Sequence, residues 1–192
     1  MILHPLEAQD AESIAALAAD FYPEEMHLEA EEIAQSLRAA DEEGGNFSAG
    51  LLHQGHLCGY MLAWLEESRL EGVRESVILI DDVAVATGSL ADLQRLFRNL
   101  ISQIEESGLS HLAIEGSLLP DTRDTFLGQR RFFSSLGYEL VASQDYWEDD
   151  LGVELTWVRY ERPVEVEAAA SSECWDGSEF GPDDEEFDEF PE

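Results

Sequence analysis

VRESVILIDDVAVATGSLADLQRLFRNLISQIEESG, Val73–Gly108, is the stretch on which the fold turns. Its first half is a run of mostly β-branched residues: Val77, Ile78, Leu79, Ile80, Val83 and Val85. Such a run reads as a central strand. Thr87 and Gly88 break it. The second half is a long amphipathic helix with Leu93, Leu96, Phe97, Leu100, Ile101 and Ile104 on one stripe, closed by Gly108.

Upstream, Ile2–Leu6 has strand character. Asp10 reads as the N-cap of a helix in which Ile14, Leu17, Ala18 and Phe21 recur at helical spacing until Pro23. A second helix is expected from Leu28 to Ala40, with Leu28, Ile33 and Leu37 on one face, and EEGGN (Glu42–Asn46) breaks it. FSAGLLHQGHLCGYMLAWLEE then reads as a hairpin turning at Gln54, Gly55 and His56. Downstream, LSHLAIEGSLL is a strand beginning at His111. RRFFSSLGYEL is a short helix ending at Gly137 and leading into a strand, and Leu155–Tyr160 is the last strand. The order is strand, two helices, three strands, helix, strand, helix, two strands. It implies a mixed α/β sheet with helices on both faces.

Length and charge bound the function. The 192 residues make room for one ordinary domain. The formal net charge is -33, from 43 acidic and 10 basic residues, all of the latter arginine. A field of this sign repels nucleic acid and anionic membranes and favours cationic partners. Hydration in high salt and plain solubility are the competing readings of the same charge. Cys58 and Cys174 form neither a metal-binding spacing nor a disulfide framework, and Cys58 reads as a small core residue. Met1–Asp10 has no basic n-region and no apolar h-region, so no signal peptide is expected. No stretch approaches about 20 apolar residues. A cytoplasmic protein is the expectation.

Three strings together resemble the GNAT N-acyltransferase superfamily over Met1–Pro163. ILIDDVAVAT (Ile78–Thr87) is similar to that family's fourth strand, HLAIEGSLL to its fifth, and RRFFSSLGYEL to its FY-x-x-x-GF segment. The resemblance implies a mostly antiparallel mixed sheet that splays between the fourth and fifth strands. It implies acetyl-CoA or another acyl-CoA as co-substrate in the splay, its pantetheine along the backbone of Val83, Ala84 and Val85. It implies pyrophosphate at the start of the next helix, near Gly88, Ser89 and Arg95, where free N–H groups and a dipole end favour anions. The glycine-rich phosphate loop is reduced to Gly88. Ser89 and Asp92 read as helix caps, and Asp92 would repel phosphate. Weak coenzyme A binding is therefore expected.

An amine acceptor must lose a proton, and a carboxylate can take it directly or through water. Asp81, Asp82 and Glu115 lie on the two splayed strands and are the candidate bases. Strand alternation puts Asp81 and Asp82 on opposite faces. The family's phenolic acid falls at Phe133, which has no proton to give, so a Tyr installed there is expected to raise turnover. Tyr138 reads as packing, and Tyr146 is a further phenol within reach of the opening. His53 and His56 flank a turn and His111 reads as surface. Two histidines make no metal site.

Pro163–Glu192 has twelve acidic residues and no basic one. It cannot bury enough surface to offset its ordering entropy, so residues 164–192 are expected to be a disordered tail beyond a 1–163 domain. Phe187 and Phe190 among carboxylates would suit a basic protein partner. Two functions follow: transfer of an acyl group to a small-molecule or peptide amine, cationic in character, or an inactive GNAT-like binding module acting through the tail.

Overall fold

In chain order the elements are β1 (Ile2–Pro5), a 3-10 turn (Ala8–Asp10), α1 (Ala11–Ala18), α2 (Ala30–Glu42), β2 (Ala49–His53), β3 (His56–Leu70), β4 (Val73–Val85), α3 (Leu90–Glu106), β5 (Ala113–Leu118), α4 (Arg130–Ser135), β6 (Glu139–Glu148) and β7 (Val153–Glu161). They come from a computed structural model that describes residues 1–22, 27–70, 73–86, 88–118, 130–149 and 152–163. The seven strands form one sheet in the order β1-β2-β3-β4-β5-β7-β6. Every neighbouring pair is antiparallel except β4 with β5.

Each face of the sheet carries helices because each presents a separate apolar surface. The stripe of α3, Leu96, Phe97, Leu100, Ile101 and Ile104, packs on Ile78, Ile80, Ile114, Val158 and Tyr160, with Phe132 and Phe133 of α4 in the same cluster. Burying a side chain of this size contributes about 1.5–3 kcal/mol, so α3 anchors this face. On the other face Ile14 and Leu17 of α1 and Ile33, Ala34 and Leu37 of α2 meet Tyr60, Leu62 and Ala84. The β2–β3 hairpin turns at Gln54 (φ 53°) and Gly55 (φ 83°), left-handed at both central positions as a two-residue hairpin requires.

Several expectations are corrected in detail. Asp10 does not cap α1 with its side chain. Its carboxylate accepts the Glu7 N–H at 2.9 Å and meets His4 Nε2 at 3.3 Å, closing the 3-10 turn instead. The second helix starts at Ala30, so Leu28 lies outside it and is 40% exposed. His111 sits in the turn ahead of β5 and is exposed. Cys58 is partly buried against the α3-side core, its thiol donating to the Leu51 carbonyl at 3.1 Å. Among the described residues no helix is long and apolar enough to cross a membrane. The expected tail at 164–192, with Cys174, Phe187 and Phe190, lies outside the described residues.

Candidate active site

Parallel pairing of β4 with β5 runs only from Val77–Ala113 to Ile80–Gly116. Beyond it the strands part: Asp81–Val85 stays on β3, while Ser117 and Leu118 stay on β7. Gly116 marks the apex. A Cβ there would stand 3.2 Å from the Ile80 carbonyl oxygen, a tight contact, so glycine eases the close meeting of the strands before they diverge.

The residue after the apex on β4 is a bulge. Leu62 pairs with Asp82 and the next residue, Ala63, pairs with Ile80, so Asp81 is the extra residue. Alternation had put Asp81 and Asp82 on opposite faces. The bulge cancels one step and turns both toward the face that carries α1 and α2. Asp81 there feels the charge of Asp82. The Asp81 carboxyl is pushed up to about 6, by burial first, then by Asp82 and by Glu66 of β3. The residue as a whole is exposed, so solvent screens part of this push.

Asp82 is deeper and fully engaged. Its Oδ1 accepts the Tyr22 hydroxyl and its Oδ2 the Tyr60 hydroxyl. Oδ1 also accepts the Val83 N–H at 2.7 Å. Burial raises this carboxyl and the three donors pull it back down. Both phenols are pushed well above their ordinary range, by burial first and then by Asp82. Neither tyrosine was singled out in the sequence. Tyr22 is 60 residues from Asp82, and no local pattern joins them.

Glu115 is not a free carboxylate. It is 4% exposed, and Arg159, equally buried, donates to its Oε1 at 2.7 Å. Ser68 Oγ and Trp157 Nε1 donate to its Oε2 at 3.0 and 3.2 Å. The same guanidinium holds Glu75 at 2.6 Å and Glu161 at 2.7 Å. This network ties β3, β4, β5 and β7 together.

The backbone of β4 past the apex divides by register. The Ala86 N–H donates to the Cys58 carbonyl at 2.8 Å, so alternate residues, Ala84 included, turn their backbone toward β3. Val83 and Val85 turn theirs toward the open side. The Val83 N–H is held by Asp82 at 2.7 Å. The Gly88 N–H is engaged by the Val85 carbonyl at 2.9 Å, and Gly88 itself is left-handed, φ 59°. Ser89 caps α3, its hydroxyl accepting the Asp92 N–H at 3.4 Å. Arg95 lies one turn further along α3, partly buried.

Phe133 is sealed in the core. It is 0% exposed, stacked on Tyr160 with centroids 4.2 Å apart and edge-on to Phe97 at 4.9 Å. Tyr138 is equally buried, the packing residue expected of it. Tyr146 reaches further: its hydroxyl donates to Ser117 Oγ at 2.9 Å. Ser117 is the first residue past the apex on β5, as Asp81 is on β4. By alternation from Ile114 it faces the α1–α2 side.

No family model and no curated protein matches the sequence. Solved structures match the fold. Naa50 of Arabidopsis thaliana, in complex with the bisubstrate analogue CoA-Ac-MVNAL, superposes with a TM-score of 0.57 at 14% identity, covering 82% of this chain and 96% of that one. The diaminobutyrate acetyltransferase EctA of Paenibacillus lautus, with L-2,4-diaminobutyric acid and coenzyme A, gives 0.58 at 16% identity over 84% and 94%. The GNAT-like decarboxylase GphF, with isobutyryl-CoA, gives 0.58 at 15% identity over 85% and 100%.

The chain has the GNAT fold. The splayed pair that the sequence resemblance implied is present, with the strand order and helix placement that go with it. In this chain the β4 edge is open past Ile80, and α3 begins with the left-handed Gly88 and the Ser89 cap.

Proposed function

We propose that the chain transfers an acyl group from an acyl-CoA, acetyl-CoA in the first instance, to an amine. The observation that carries the reading is the β4 edge beyond Ile80. It is a strand edge left open by its parallel neighbour, with two carboxylates turned by a bulge to one side of it. The Val83 carbonyl and the Val85 N–H can pair an extended amide-bearing arm. The start of α3, with Gly88, Ser89 and Arg95, would meet the pyrophosphate, and Asp92 in that first turn weakens the fit.

The thioester supplies the activated acyl carbon. Asp82 is held by Tyr22, Tyr60 and the Val83 N–H and Glu115 is buried against Arg159, whereas Asp81 is exposed. With its carboxyl near 6 it is mostly ionised above neutral pH and still basic enough to accept a proton. The nitrogen of an attacking amine becomes strongly acidic as its bond to carbon forms, and Asp81 takes that proton directly or through water. The Val85 N–H lies on the open side, where it can polarise a carbonyl. Phe133 donates nothing, so the departing thiolate takes its proton from water or from Tyr146 at the opposite lip. Asp81, Asp82 and Glu66 on one face suit a cationic acceptor, such as a diamine.

The test is release of free coenzyme A thiol from acetyl-CoA across a panel of monoamines, diamines and peptide N-termini. Amine-dependent release that disappears in Asp81→Asn supports the reading. Acetyl-CoA binding with no amine-dependent release favours the second reading, a binding module on the GNAT fold. The engagement of Asp82 and Glu115 supports that alternative, because it leaves one carboxylate for chemistry.

A further inference from the structure

Asp82 is half-buried, ionisable and outside the proposed chemistry, and its three donors come from three places. Tyr22 belongs to the turn that ends α1, Tyr60 to the middle of β3, and Val83 to β4 itself. Tyr60 is 0% exposed. One carboxylate therefore joins the C-terminal end of α1 to the bulge at a place where β4 has lost its β5 neighbour. A bulge is held on one flank by the β3 ladder, and here that ladder slips between Leu62 and Ala63. Asp82 supplies the restraint that the ladder omits.

We infer that Asp82 is the positioning residue of this site: by binding Tyr22, Tyr60 and the Val83 N–H it locks the bulge, turns Asp81 outward, and leaves Asp81 as the one carboxyl of the pair open to an incoming amine. The inference rests on the acyl-transfer reading for what Asp81 does, not for how Asp81 is held. Its second consequence is electrostatic. The groups facing Asp81 are Asp82 beside it, Glu66 on β3, and the Tyr22 and Tyr60 hydroxyls, which stay neutral. Of these Asp82 is the nearest negative charge, and after burial it is the largest contribution to the raised Asp81 carboxyl.

The experiment is a carbon-13 titration of the aspartate carboxyls in the full chain, in wild type, Asp82→Asn and Tyr22→Phe. Asp82→Asn keeps the shape and one acceptor oxygen while removing the charge. The Asp81 midpoint should fall by roughly half a pH unit in this variant, the part of its elevation that comes from burial remaining. A midpoint that stays in place overturns the inference. This readout needs no turnover, so it stands even if no amine is ever acylated. In an active protein the acid limb of kcat/KM should move down with the midpoint, whereas a purely structural role would lower the rate without moving the limb. Tyr22→Phe, which keeps every charge, guards against a misfolded Asp82→Asn. It should speed hydrogen exchange at the end of α1 and in Asp81–Val83, and adding it to Asp82→Asn should cost little more than Asp82→Asn alone. Exchange unchanged in Tyr22→Phe, or losses that simply add, would also overturn it.

Discussion

Asp81 carries a stability consequence whose sign is set by its raised carboxyl. In the unfolded chain it ionises in the ordinary carboxylate range; in the fold it ionises near 6. Between those values the folded state binds more protons, so stability falls as pH rises through that window and stays reduced above it. Asp81→Asn should therefore raise the melting temperature at pH 8 and leave it nearly unchanged at pH 4, as calorimetry at the two values would show. The same variant should lower amine-dependent kcat/KM by about 10²–10⁴-fold. A base kept at a cost to stability is the signature expected of a working group. Phe133 gives the opposite lesson. From the sequence it is a missing phenol. In the structure its ring is fully buried and packs against Phe97 and Tyr160. Phe133→Tyr should bury another hydroxyl, costing about 1–3 kcal/mol in a denaturant melt, and bring no gain in turnover. The sequence shows which residue types stand at these positions. It does not show which way they point.

At the scale of elements, the strands and helices were legible because their apolar periods are long and consistent. The stripe of α3 and the β-branched run of β4 are buried as their patterns require. The bulge was not legible. IDDVAV contains neither glycine nor proline, and a regular strand would put Asp81 and Asp82 on opposite faces. The extra residue exists only in the pairing of β4 with β3, a relation between segments about 20 residues apart. For the same reason Tyr22 and Tyr60 read as ordinary aromatics. Glu115 was legible as a strand carboxylate but not as the centre of an ion-pair network, because its partners come from distant strands. Gly116 offers a test at this scale. Gly116→Ala places a methyl 3.2 Å from the Ile80 carbonyl oxygen, and the backbone there must shift by a few tenths of an ångström. The apex should loosen at a cost of about 1–3 kcal/mol, and acetyl-CoA affinity by calorimetry should fall, while far-ultraviolet dichroism keeps its shape.

For the whole molecule the charge of -33 is the dominant property. Clefts lined by one sign of charge raise the local concentration of oppositely charged ligands, and salt screens this effect over about 8–10 Å. KM for a diamine should therefore rise with ionic strength, and KM for an uncharged acceptor should not. The donor carries negative phosphates against the same field, so its affinity should improve with salt over the range that weakens the diamine. The direct test of the central claim is hydrogen exchange of the full chain with and without acetyl-CoA. The amides of Asp81–Val85 and of the first turn of α3 should slow on adding acetyl-CoA, while β1, β2 and β6 are unchanged. Saturating acetyl-CoA that leaves Asp81–Val85 unprotected would contradict that claim.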